Sequence, residues 1–211
     1  MAAKKGPIEG LKQFIPDHTY DLVAPYFQSF HIQLTIKKER KRVFGDYINP
    51  TPDSPFHKIS INGNLNPYSF LVTLLHELAH LVTYIEHKHT VNAHGIEWKN
   101  NFRKILLPFI ENKLLPQDIS LALIGYIQNI KASTCGDIGL YKTLAKYDKN
   151  KDRLYFIDEI PENTIFKLPS NGKMYQKLGK NRTRFKCIEL TTQQMYLFSK
   201  VAQVEVINPH D

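Results

Sequence analysis

The chain has 211 residues, with 28 Lys and Arg against 20 Asp and Glu for a formal charge of +8, and 42% of its residues are hydrophobic. That composition suits a soluble globular protein of one ordinary domain plus a smaller one, with a core large enough to need no disulfide staples. Two cysteines, Cys135 and Cys187, exclude a disulfide framework and a four-cysteine metal site. No uninterrupted apolar run reaches the ~18–20 residues of a membrane span. The stretch 1–20 carries lysines but no apolar core of the kind a secretion signal needs. A cytoplasmic protein with no membrane partner is expected.

Residues 8–30 are predicted helical, with Leu11, Phe14, Ile15, Leu22, Val23, Tyr26 and Phe27 at helical spacing and Pro16 and Pro25 as break or kink points. Three strand-like runs follow at 32–36, 43–48 and 57–62. The basic run 37–42 falls between the first two, where a solvated hairpin turn is expected. Asn66-Pro67 then opens a helix to about residue 87, asparagine suiting the cap and proline the first turn. A second helix begins near His94-Gly95, with Trp98, Phe102, Ile105, Leu106 and Phe109 on one stripe and Pro108 as a late stop or kink. A third covers 118–130. Beyond Lys131 the texture changes to short strands, at 164–168, 173–178, 183–190, 194–199 and 203–207. Ser170-Asn171-Gly172 and Gly179-Lys180-Asn181 are the turn signals between them.

Within the strong helix lies His76-Glu77-Leu78-Ala79-His80, an HExxH pattern. A chain of this composition would contain about 0.02 such patterns by chance. Leu71, Leu74, Leu75, Leu78, Leu81, Val82 and Ile85 share one broad face, and the two histidines lie opposite it, about 40° apart around the axis. One turn apart, two imidazoles can share one Zn²⁺ at about 2.0–2.1 Å each. A catalytic zinc needs a third protein ligand. His87 lies on the same face but about 10 Å further along the helix from His80, too far to share the ion. A metzincin would carry glycine at 83 and histidine at 86, where this chain has Thr83 and Glu86. The ligand must return from beyond the helix. His94 is well placed, after a polar reversing loop and before Gly95; Glu97 is the second candidate and His89 the third.

HELAH, a gap of thirteen residues, then His94-Gly95 followed by Trp98-Lys99 resembles the SprT-like metalloprotease domain, whose family includes the Spartan-type proteases that degrade DNA-crosslinked proteins. The likeness extends over roughly 10–130, including the preceding helix and three strands. It implies a zinc-dependent metallopeptidase in which His76, His80 and His94 are ligands and Glu77 is the catalytic glutamate. It implies an α+β fold as well: a zincin-like domain over 1–133 (helix, three-stranded sheet, HExxH helix, further helices), then a small β-rich domain over 134–211. Many members carry a zinc ribbon with paired cysteines at the C-terminus; this chain has no CxxC, so the tail is expected to replace the ribbon without a metal.

The chemistry follows from the donor set. Zinc brings the pKa of a bound water to about 7 and polarises a carbonyl. Glu77 is adjacent to His76 and rotated about 100° from it, so it serves as general base rather than ligand. Tyr68, Tyr84 and His89 lie nearby in sequence as candidate oxyanion donors. An extended substrate is expected to add to a sheet edge near 58–62. In the tail, Lys173, Tyr175 and Lys177 share one strand parity, and Arg182, Arg184 and Lys186 share another. With a turn at Gly179-Lys180-Asn181, both sets would meet on one basic face as candidate nucleic-acid contacts; an ordinary solvent face is the competing reading. Partners are therefore protein substrates and, as a candidate, DNA. The alternative function is a nucleic-acid-binding or transcription-associated protein with a structural or vestigial zinc site. An intact Glu77, for which a structural site has no use, favours the peptidase.

Overall fold

The structure, a computed structural model, describes residues 8–40, 43–131, 136–149 and 153–207. It is α+β and divides into two compact units, Met1–Leu144 and Ala145–Asp211. The sequence reading drew its boundary after residue 133. The difference is a helix, Ile138–Ala145, whose contacts below lie in the first unit.

The first unit opens with a 3-10 turn, Ile8–Gln13, and helix α1, Tyr20–Ser29. The single helix predicted over 8–30 is thus broken at Pro16, whose carbonyl instead accepts from the Thr19 hydroxyl at 2.6 Å. Pro25, by contrast, sits inside α1. Strands β1 (Ile32–Lys37), β2 (Gly45–Ile48) and β3 (His57–Asn62) form one sheet in the order β1-β3-β2. β1 runs parallel to β3, with Leu34 opposite Ile59; β2 runs antiparallel to it, with Tyr47 opposite Ile59. The central position suits β3, whose Ile59 and Ile61 are buried.

This order corrects two expectations. The basic run 37–42 is not a hairpin turn, because β1 and β2 are not neighbours; the chain must cross the end of β3 to reach its other side. Arg40 fastens that crossing. Its Nε donates to Asn62 Oδ1 at 2.8 Å and its guanidinium pairs with Asp46, which also accepts from the Ser60 hydroxyl at 2.6 Å. Lys41 and Arg42 lie outside the described residues. Nor is 58–62 an edge: β3 is paired on both sides, so an added strand has no place there.

Helix α2 (Pro67–His87) packs its leucines into the core, and α3 (Ile96–Glu111) lies against it with Trp98, Phe102, Ile105, Leu106 and Phe109 all buried. Pro108 does not end α3, since only its own N–H is lost and that near the last turn. Helix α4 is Gln117–Gln128. α2 is long and apolar enough to pass for a membrane span by composition, yet most of that stretch is buried in the core. Helix α5, Ile138–Ala145, is a finding of the structure: Asp137 caps it through the Leu140 N–H at 2.9 Å, and Leu140 and Leu144 are buried.

The second unit is a six-stranded sheet, with β4 (Tyr155–Phe156), β5 (Ile165–Lys167), β6 (Met174–Asn181), β7 (Arg184–Glu189), β8 (Met195–Ser199) and β9 (Gln203–Val206) in the order β4-β9-β5-β6-β7-β8. All of its pairings are antiparallel. Ile157, Phe166, Tyr175, Phe185, Cys187 and Val204 form its core. Gly179-Lys180-Asn181 does not turn the chain. It belongs to β6, which shifts register between Lys177 and Lys180, and the reversal falls at Arg182-Thr183 with Arg182 at φ 52°.

Asn66 joins two elements of the first unit. Its Oδ1 accepts from the Tyr68 and Ser69 N–H groups at 3.1 and 2.9 Å, capping α2, while its Nδ2 donates to Leu144 O at 3.0 Å, on the last turn of α5. Loss of an asparagine cap costs about 1 kcal/mol. Asn66→Ala should therefore lower stability by about 1–2 kcal/mol in urea unfolding. Asn66→Asp, which keeps the cap but not the amide donor, should lose less.

Candidate metal centre

Of the two HExxH histidines of α2, His80 is partly exposed and His76 is largely buried. His76 is 9% exposed and Glu77 5%, because α3 roofs this side of the helix. The Trp98 ring lies 4.6 Å from the His76 ring and 5.2 Å from that of His80. Phe102 closes on His76 at 5.7 Å. Trp98 is thus core packing that also floors the site.

The chain returns to this floor as the sequence predicted. Lys88, at φ 54°, ends α2 and donates its N–H to Tyr84 O at 2.8 Å. A short loop follows, and the Gly95 N–H closes on Asn92 O at 3.0 Å just before α3. A Cβ on Gly95 would lie 2.9 Å from Glu97 Oε2 and 3.2 Å from Asn92 O, so the turn is built around glycine. His94 is delivered to the pair. His76 Nε2 lies 3.3 Å from His80 Nε2 and 3.2 Å from His94 Nε2. Among the described residues these three form the one cluster suited to a metal ion; Glu97 and His89 are not in it.

Burial, reinforced by the neighbouring imidazoles, lowers the pKa of His76 to about 3 and that of His80 to about 4; burial lowers His94 as well, with help from Lys99. All three are neutral at pH 7 with lone pairs available. Burial raises Glu77 to about 8, with Asp46 adding to the shift and Arg40 opposing it.

A cleft of about 740 Å³ opens over the cluster, between β2 and α2. Tyr84 and His89 line it, their rings 5.3 Å apart, while Tyr68 does not. Tyr47 and Tyr141 are among the lining residues that escaped the sequence reading. Tyr47, on β2, stacks on His80 at 6.3 Å and 5° and shares a 2.8 Å hydrogen bond with His57 Nδ1. Its only sequence signal was the parity of a four-residue strand. Tyr141 comes from α5, which was not foreseen at all.

The tail residues separate. β6 and β7 pair Lys177 with Cys187 and Tyr175 with Glu189, and all four point into the core. Lys177 is 4% exposed, donates to Ile160 O at 2.6 Å and sits over the Phe185 ring at 4.3 Å. Lys173 is paired with Glu189 at 3.0 Å. Arg184 and Lys186 alternate with buried Phe185 and Cys187, so they lie on the other face, exposed, with Arg182 in the turn. One face carrying both basic sets with Tyr175 does not exist: the hairpin turns two residues later than expected, and a register shift lies between.

Residues 17–114 match the model of the SprT-like family. This segment spans α1 to α3 and contains His76, Glu77, His80 and His94. At the level of the family this is metallopeptidase-type chemistry. No curated protein and no solved structure matches the chain.

The pKa shifts have a consequence for the metal-free protein. Below pH 6.5 the unfolded chain protonates His76 and His80 while the folded one does not, so stability falls as pH drops toward 4. Above 4.5 the unfolded chain ionises Glu77 while the folded one resists, so this group removes stability as pH rises toward 8. Two protons outweigh one on the acid side. Chelated protein should therefore be most stable near pH 6.5, by urea midpoints across the range, and Glu77→Gln should abolish the decline on the alkaline side and steepen the rise between about pH 4.5 and 6.5.

Proposed function

We propose that the chain is a zinc-dependent metallopeptidase acting on protein substrates. The observation that carries this reading is the Nε2 triangle beside a buried carboxylate. Ligands of a tetrahedral ion at about 2.0–2.1 Å stand about 3.3–3.4 Å apart, close to the 3.3 and 3.2 Å separations found. His76 Nε2 faces two other ring nitrogens. A hydrogen bond would satisfy one of them; a cation satisfies all three. The neutral, nitrogen-only donor set suits zinc.

Zinc held by His76, His80 and His94 would supply Lewis acidity and an ionisable water at neutral pH. Glu77 does the proton work. Its carboxylate is packed against β2 so closely that a Cβ on Gly45 would lie 2.8 Å from Oε1. It takes the proton of the attacking water and returns it to the departing amine. A nearby divalent charge favours the carboxylate form that this task needs. Tyr47 braces His80, and Trp98 floors the three rings. β2 is an edge strand of the sheet and lines the cleft, so an extended polypeptide would add to its open edge, in place of the 58–62 edge expected from sequence.

DNA-associated or DNA-crosslinked proteins are the narrower substrate class, and Arg182, Arg184 and Lys186 are its candidate DNA contacts. A cytoplasmic setting accords with the free, buried Cys187.

Elemental analysis should find one zinc per chain, largely lost in His94→Ala and retained in Glu97→Ala. Glu77→Gln should keep its zinc and lose about 10²–10⁴-fold in casein or peptide turnover. A metal-loaded Glu77→Gln protein of normal activity would refute the mechanism. Reversing the charge of Arg182, Arg184 and Lys186 together should weaken binding of single-stranded DNA and flatten its salt dependence, while cleavage of a small peptide continues.

A further inference from the structure

The family match ends at residue 114, yet the cleft is completed from beyond it. Tyr141 lines the cleft from α5 and stacks on Phe44 at 6.3 Å and 11°. Both rings are only half-buried, and Val43, also at the wall, is 46% exposed. At the same wall Tyr47 lies against His80 and His57, and Tyr84 against His57 and His89.

The position of Phe44, immediately before β2, matters. Gly45 abuts Glu77 and Tyr47 stacks on His80, so β2 runs from the general base toward the metal ligands. Phe44 and Val43 precede Gly45 and lie on the far side of Glu77 from Tyr47. A residue in an extended chain advances about 3.3 Å. A polypeptide laid along β2 would therefore bring a side chain to Phe44 and Tyr141 within one or two residues of the bond at Glu77.

The wall is also firmly held. Leu140 and Leu144 anchor α5 in the core, Asp137 caps its start, and Asn66 ties its last turn to the start of α2. A subsite on a rigid helix fixed to the active helix discriminates better than one on a loop.

We propose that Tyr141 and Phe44, flanked by Val43, form a specificity subsite that selects substrate segments carrying a large apolar or aromatic side chain beside the scissile bond. This rests on the peptidase reading of the same cleft. An apolar subsite of this kind separates a large apolar side chain from a small polar one by about tenfold or more.

The test uses the full-length, zinc-loaded protein and a peptide library read by mass spectrometry, followed by matched peptides carrying Phe, Ala or Asp at the selected position. Wild type should show a kcat/KM ratio of Phe over Asp of about 10 or more at one position adjacent to the cleaved bond. Tyr141→Ala should collapse that ratio with zinc content unchanged, and Tyr141→Phe should preserve it. A Tyr141→Ala protein that keeps the wild-type ratio overturns the subsite. So does a wild-type enzyme that cleaves without apolar preference, a result that needs no variant to fold. Absence of all peptide cleavage by zinc-loaded wild type would instead overturn the peptidase reading on which the subsite rests.

Discussion

The structure depends on keeping two imidazoles and a carboxylate of one largely apolar helix, with a third imidazole brought to them, in a largely buried place. Buried polar groups are costly unless something satisfies them. α2 meets that constraint by convergence: His76 and His80 lie one turn apart, and His94 comes to them from the next element, so their Nε2 atoms share one small volume. Trp98 and Phe102 close the space behind them. Desolvation then sets the charge states, neutral for the imidazoles and a raised pKa for Glu77, so the site is short of positive charge and ready for a cation.

Around that helix, each neighbouring element has a positioning task. β3 is the buried central strand, and β2 on its outer side lays Gly45 against Glu77 and Tyr47 against His80. The described part of the basic run carries Lys37, Lys38 and Arg40, yet Arg40 is spent on structure, pairing with Asp46 and donating to Asn62 and the Ser60 carbonyl. That single arginine bridges β2 and β3 and opposes the upward shift of the Glu77 pKa. A basic run read as a solvated surface therefore contains one member that fastens the strand lining the cleft.

In the second unit the same rule works against a simple charge reading. Strand parity sends alternate residues to opposite faces, and a hairpin's turn decides which faces of its two strands coincide. Arg182-Thr183 as the turn places Lys177 and Tyr175 in the core with Cys187 and Glu189, and leaves Arg184 and Lys186 outside. Lys177 is tolerated there because Ile160 O accepts from its ammonium and Phe185 presents a ring face to it.

How much was legible follows from the range of each interaction. HExxH, the Asn66-Pro67 cap, the α3 stripe and the His-Gly step after a polar loop are all local patterns with a fixed helical period. The paired histidines, Glu77 and the helices that carry them could thus be read directly from residue order, as could His94 as the leading candidate for a third member and the five main strands of the tail. Strand order, hairpin register and cleft walls were not legible, because they depend on contacts between residues far apart in the chain. β1 reaches β3 rather than β2, a turn moved by two residues reverses a face, and Tyr141 meets Phe44 across nearly a hundred residues. Local chemistry specifies which groups can act; packing alone specifies what they face, since burial and pairing energies are summed over the whole fold and no single segment contains them.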